Sequence, residues 1–353
     1  MLPRDPWQEL LTVVVCSSPV PSNPDTSVLR AVFASLSIVA GLSQCPKIIQ
    51  LDGPQPSLRV ARVEAYAEFE SRVRDLARTD AAFTRTRVYR SRTFLFASHN
   101  LAAAIMHVNT TFLFALQHDY VVVRPFDASG LLRTMVDVPV VKHVRLNMRP
   151  NMPARGFDGV VENASLPGLR VPLARTCGWS DAPHIARTEY YRTFVIPRNR
   201  QDHNGGRRKF MEESLHYPLQ RNGMRGGCWE TKQQVRRGVQ SPAWPADFDE
   251  FGTYLYGAAT PSDGSYTHHH SLRGSAPQWG LEHNPFADMA RPAGRGSSSS
   301  SSRRRGSGSK PGSNANSRQL HTVSDGHARG LRMRRSRVRV RKGSGSDRER
   351  SGA

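Results

Sequence analysis

Three apolar runs set the frame of the chain: Leu11 to Val15 (LTVVV), Lys47 to Leu51 (KIIQL) and Thr111 to Leu116 (TFLFAL). Continuous runs of this length, rich in β-branched and aromatic residues, are how strands buried on both faces of a parallel sheet read. Between the first two, Val28, Val32, Leu36 and Val39 recur at helical spacing, and Asp25 stands where a helix cap is needed. Strand, helix and strand in some 40 residues open a parallel α/β sheet. The pattern predicts a charged helix near Val60 to Leu76, a second near Asn100 to His107, a strand over Val140 to Leu146 and a short helix over Thr188 to Phe194. Arg198 to Arg208 is polar, basic and glycine-containing, as a mobile loop would be.

Composition changes this picture at one end. The chain has 353 residues, 38% of them hydrophobic, which is enough for one large core. Of 50 Lys and Arg against 29 Asp and Glu, 17 basic and 3 acidic residues fall between Arg291 and Ala353, a segment with no Phe, Trp, Tyr or Cys. The expected division is therefore a folded domain over 1–283 and a disordered, basic Arg/Ser/Gly-rich tail over 284–353. The remainder of the chain carries only a modest positive excess, which excludes a polycationic nucleic-acid binder as a reading of the whole. With no aromatics among its arginines, the tail is suited to electrostatic contact with RNA or anionic surfaces, or merely to keeping the chain in solution.

Cys16, Cys45, Cys177 and Cys228 include no CxxC pair, which excludes a zinc ribbon and leaves room for one bridge. No run approaches the 18 or so apolar residues of a membrane span, and no signal peptide is evident, so the compartment, Golgi lumen or cytoplasm, stays open.

In open parallel sheets the ligand lies at the carboxyl ends of the strands. Three polar groups are expected there: Ser17, Ser18 and Pro19 after the first strand, Asp52 after the second, and His118 with Asp119 after the third. Singly, each is also ordinary turn or cap chemistry; their joint placement points to a site. Trp179 beside Asp181 is a fourth candidate, because an aromatic face next to a carboxylate suits a sugar ring.

The blocks LTVVVCSSPVPSNP (Leu11 to Pro24), KIIQLDG (Lys47 to Gly53), FLFALQHDY (Phe112 to Tyr120), CGWSDAPHIARTEYY (Cys177 to Tyr191) and FGTYLYG (Phe251 to Gly257) together resemble the glycosyltransferase-A-like proteins of algae and large viruses. The resemblance implies a Rossmann-like, mostly parallel sheet flanked by helices that binds a nucleotide-sugar donor. It places base and ribose against Ser17, Ser18, Pro19 and Asp52, with His118 and Trp179 completing the donor site. The family's metal-binding acidic motif falls on Gln117-His118-Asp119, so Asp119 would hold a divalent cation, Mn or Mg, or else hydrogen-bond the sugar or a turn. Where the family has a His followed by Asp-Gly-Arg, this chain has His268-His269-His270-Ser271-Leu272-Arg273-Gly274, with His270 the nearest match for a second metal ligand. Asp181 is the candidate base that deprotonates an acceptor hydroxyl, with an N-cap as its ordinary role and Glu212 and Glu213 as substitutes. The expected function is transfer of a sugar to a glycan or protein hydroxyl; the alternative is a catalytically silent nucleotide- or sugar-binding protein on the same fold.

Overall fold

The computed structural model describes residues 6–152, 159–201, 211–221 and 247–269, together with positions 228, 231, 233–234, 237–239 and 244. The expected tail, His270 and most of the basic loop lie outside the described residues.

The predicted runs become the centre of one mixed sheet. β1 (Leu11–Ser17), β2 (Lys47–Leu51) and β4 (Phe112–Gln117) are buried almost throughout. Each large apolar side chain so placed contributes about 1.5–3 kcal/mol relative to exposure. β3 (Thr86–Arg90) lies on the outer edge, where its polar, half-buried sequence gives no strong apolar signal. On the other side of β4 come β9 (His184–Arg187), β6 (His143–Arg145), β10 (Thr253–Tyr256), β8 (Leu173–Thr176) and β7 (Val160–Asn163), giving nine strands in the order β3-β2-β1-β4-β9-β6-β10-β8-β7. Pairing is parallel from β3 through β4 and again between β6 and β10, and antiparallel at the remaining contacts.

Flanking helices follow the predicted faces. α1 (Ser27–Ser35) buries Val28 and Val32, and Leu36 and Val39 continue the same face just beyond it. Asp25 stands one residue before the N-cap Thr26 and accepts from both the amide and the hydroxyl of Ser27. α2 (Val60–Thr79) packs on Tyr66, Phe69 and Val73, and α3 (Phe96–Ile105) begins four residues earlier than its apolar pattern indicates. α4 (Ala128–Asp137) is capped by the Asp127 carboxylate, which accepts from the Gly130 amide. The helix expected over Thr188 to Phe194 starts as one α-turn, Thr188–Tyr190, then widens into a π-turn over Tyr191–Val195. A separate two-stranded sheet pairs β5 (Tyr120–Val122) with β11 (Thr267–His269). Cys177 and Cys228 form the one bridge the cysteine pattern left room for, with Cα atoms 5.4 Å apart.

Registry decides where the site lies. Ser17 pairs with Leu51 across β1 and β2, and Cys16 pairs with Gln117 across β1 and β4. Three strands thus end level, and the residues that follow them meet at one edge.

Candidate functional site

A cavity of about 270 Å³ opens at that edge, walled by Cys16, Ser17 and Ser18 from β1, Asp52 from β2, and Gln117 and His118 from β4. Its fourth wall comes from a segment that the sequence reading did not single out: Phe94, Phe96, Ala97 and Asn100.

Asp52 binds that segment to the sheet. Its backbone amide donates to Ser17 O (2.8 Å), and its buried Oδ1 accepts from Gly53 N (2.8 Å) and Leu95 N (2.7 Å). A Cβ on Gly53 would stand 2.3 Å from the Thr93 carbonyl carbon, so only glycine allows the two backbones to approach this closely. The Asp-Gly pair expected as a turn is therefore also the anchor of the opposite wall. Just past the anchor, Phe96 adopts φ +62°, a left-handed conformation costing a non-glycine residue about 1–2 kcal/mol. The residue is 43% exposed, and its ring centroid lies 4.2 Å from that of Phe94.

Several side chains of this cavity keep polar atoms without partners. Asn100 Nδ2 donates to the carbonyls of Ser17 (3.3 Å) and Gln50 (3.2 Å), but its Oδ1 has no partner among the described residues. Ser17 Oγ and His118 Nε2 are likewise buried and unpartnered. Each such group costs about 1–3 kcal/mol in a folded chain. Burial draws the His118 imidazole below its ordinary pKa despite the opposing charge of Asp119, which favours the neutral ring, in which one nitrogen can accept or ligate and the other donates.

Asp119 stands just beyond His118, in the turn between β4 and β5. Its Oδ2 is 2.9 Å from His269 Nε2, brought there because β11 runs antiparallel to β5 and sets His269 opposite Tyr120. Asp119 Oδ1 is buried and has no hydrogen-bond partner among the described residues. Within the expected histidine cluster, it is thus His269 that meets the carboxylate in the described structure, while His270 lies outside it. No group of three His, Cys, Asp or Glu converges among the described residues.

Asp181 occupies the turn before β9. Burial, with the nearby charge of Glu212 added, pushes its carboxyl up to about 7. The same carboxylate, after burial and Asp52, helps push the Cys16 thiol up to about 12, which places Asp181 within electrostatic reach of the cavity wall. Its turn is fixed by His184: Nδ1 donates to Ala182 O (2.7 Å), which leaves Nε2 to accept from the Tyr191 hydroxyl (2.6 Å).

Trp179 is not where a sugar could meet it. The indole is fully buried, donates to the Tyr190 hydroxyl (3.1 Å) and stacks on His143 with centroids 5.0 Å apart. The stretch that leads into β9 turns inward at this residue, so the ring fills the core rather than the cavity. Pro19 is half-buried in the loop beyond Ser18 and does not contribute to the described wall. Asp181, Asp119 and the cavity residues gather at one sheet edge; Trp179 does not join them. Phe94, Phe96 and Asn100 were the residues missed, and the signal for Asn100 was an amide placed directly before the apolar Leu101 to Ile105 run.

No family model and no curated protein matches this chain. Among solved structures, the fold is similar to S. aureus TarS 1–349 in complex with UDP-GlcNAc, at 11% identity and TM-score 0.35 over 52% of this chain and 46% of that one. It is also similar to the mannosyltransferase PcManGT from Pyrobaculum calidifontis in complex with GDP-Man and Mn2+, at 10% identity and TM-score 0.37 over 69% of this chain and 68% of that one. The chain spans less than half the length of the TarS chains it matches. At such identities and TM-scores these likenesses carry no function.

Proposed function

We propose that the domain is a glycosyltransferase that binds a nucleotide-sugar in the β1-β2-β4 edge cavity and passes the sugar to an acceptor hydroxyl. The observation that supports this most is the cavity itself: Ser17, Asn100 and His118 line one space, and each keeps a buried polar atom unsatisfied. A polar ligand reached by small side-chain rotations offsets that cost. An apolar ligand would leave it standing.

The residues divide the work by chemistry. Ser17, Ser18 and Asn100 face nucleoside hydroxyls and base edges. Asp119 and His118, a carboxylate and a neutral imidazole each with an unpartnered atom, fit a Mn-like cation whose other ligands come from diphosphate and water. When bound, such an ion would offset the charge of the departing diphosphate. Asp181, with its carboxyl at about 7, accepts a proton from an attacking hydroxyl near neutral pH, as a general base requires.

A panel of nucleotide-sugars with and without Mn tests the proposal: a donor at 100 times its dissociation constant should stabilise the fold by about 2.7 kcal/mol. Asp119→Asn should lower transfer about 100-fold while leaving metal-free nucleotide binding nearly unchanged. The contact of Asp119 with His269 favours a second reading, a nucleotide- or sugar-binding protein without turnover. Binding by wild type with no transfer to any acceptor would select that reading; absence of binding would remove both.

A further inference from the structure

Phe96 combines features that packing alone does not explain. It has a left-handed backbone that glycine, not phenylalanine, would favour. It stays exposed although the helix it begins, α3, buries Leu101, Ala104 and Ile105. It also lines the cavity together with Phe94, at a centroid distance of 4.2 Å and an interplanar angle of 48°. The segment is held rigidly in that pose: Leu95 N is bound by Asp52 Oδ1, and Thr93 is pressed against Gly53. Strain of this sort persists where the surrounding structure over-determines it, and it concentrates at ligand clamps.

We infer that Phe94 and Phe96 form an aromatic platform on which the nucleobase of the ligand stacks, with the Asp52 carboxylate acting as the latch that sets the platform's height rather than as a reader of the base. The inference rests on the nucleotide reading of the cavity and deepens it. A planar heteroaromatic ring suits two tilted rings, since every base presents a π face. A sugar could pack on an aromatic too, but the unpartnered amide oxygen of Asn100 and hydroxyl of Ser17 belong to the same cavity lining, and a base edge offers both donors and acceptors to them. The aromatic contact expected of Trp179 thus falls instead to the segment that precedes and opens α3.

The full chain can be titrated with uridine diphosphate, guanosine diphosphate and, as a base-less probe, ribose 5-phosphate. Phe96→Gly accommodates the positive φ, so it should fold with a melting temperature no lower than that of wild type, yet bind either diphosphate about tenfold or more weakly. Phe96→Trp should retain affinity and report binding by fluorescence quenching. Ribose 5-phosphate should bind wild type and Phe96→Gly alike, weakly or not at all. Unchanged diphosphate affinity in Phe96→Gly, or an equal loss for ribose 5-phosphate, overturns the platform while the nucleotide reading stands. Failure of wild type to bind either diphosphate overturns the nucleotide reading and the platform with it.

Discussion

The two halves of the sheet bury polar groups in different places. In the β9-β6-β10 half, His143, His184 and Thr253 lie within the strands: His143 Nδ1 pairs with Thr253 Oγ1 at 3.0 Å and His184 with Ala182 O and the Tyr191 hydroxyl, while His143 Nε2 and Tyr254 Oη, enclosed inside the sheet, have no hydrogen-bond partner among the described residues. In the β2-β1-β4 half the strands are apolar, and the polar groups gathered at their carboxyl ends include several left unmatched. Polar groups enclosed within strands belong to the scaffold; unmatched ones that line a cavity at the strand ends mark a place for a ligand. The two aromatic sites divide the same way, with Trp179 relaxed and enclosed and Phe96 strained and exposed.

Substitutions can break this division, and the largest effect should come from the scaffold. Trp179→Ala empties a fully enclosed indole site and should cost about 3–5 kcal/mol of stability by denaturant unfolding. Trp179→Phe, which keeps most of the packing, should leave nucleotide affinity untouched. A loss of affinity in that variant would return Trp179 to the site and dissolve the contrast.

Asp181 lies between the halves, and its effect depends on pH. Its carboxyl is raised from 3.8 to about 7 in the fold. Between those values the folded chain keeps a proton that the unfolded chain has released, so this residue makes stability fall as pH rises through the window. Asp181→Asn should therefore be more stable than wild type by on the order of 2 kcal/mol at pH 8, and no more stable near pH 4. Unfolding curves at the two pH values check the sign. If transfer is found, it should rise through pH 7 in wild type and be lost in this variant.

The smallest effect is the most discriminating. Ser17→Ala removes an unpartnered buried hydroxyl, so the ligand-free chain should be equally stable or firmer by up to about 1 kcal/mol, while nucleotide affinity drops about threefold to tenfold. Destabilisation without loss of affinity would mean that the hydroxyl serves the fold.

Sequence periodicity recovered the parallel half because buried strands there are continuous apolar runs: β2 is bounded as read, β1 extends two residues further, and β4 is shifted by one residue. It recovered less of the other half. The run over Val140 to Leu146 narrows to His143–Arg145, and β9 passed unnoticed inside Pro183-His184-Ile185-Ala186-Arg187, since His and Arg in a central strand break the pattern that marks one. The polar cavity residues were legible from their position after strands. The platform was not, because what distinguishes Phe96 is a backbone angle and a latch made by Asp52, a residue 44 positions earlier whose carboxylate reads in sequence as a recognition group. Glu213, one of the substitutes for Asp181, has a side chain outside the described residues.

The bridge between Cys177 and Cys228 closes a ring around the 50 residues between them, and that ring contains Asp181, His184, Tyr191 and Glu212. A protease that cuts the backbone once anywhere inside it leaves the molecule in a single covalent piece. Such a nick is silent on a non-reducing gel and visible only after reduction. The candidate base and the carboxylate that tunes it are therefore fastened to the sheet from both sides, and one backbone cut between them would still leave each half of the ring tied to the rest of the chain.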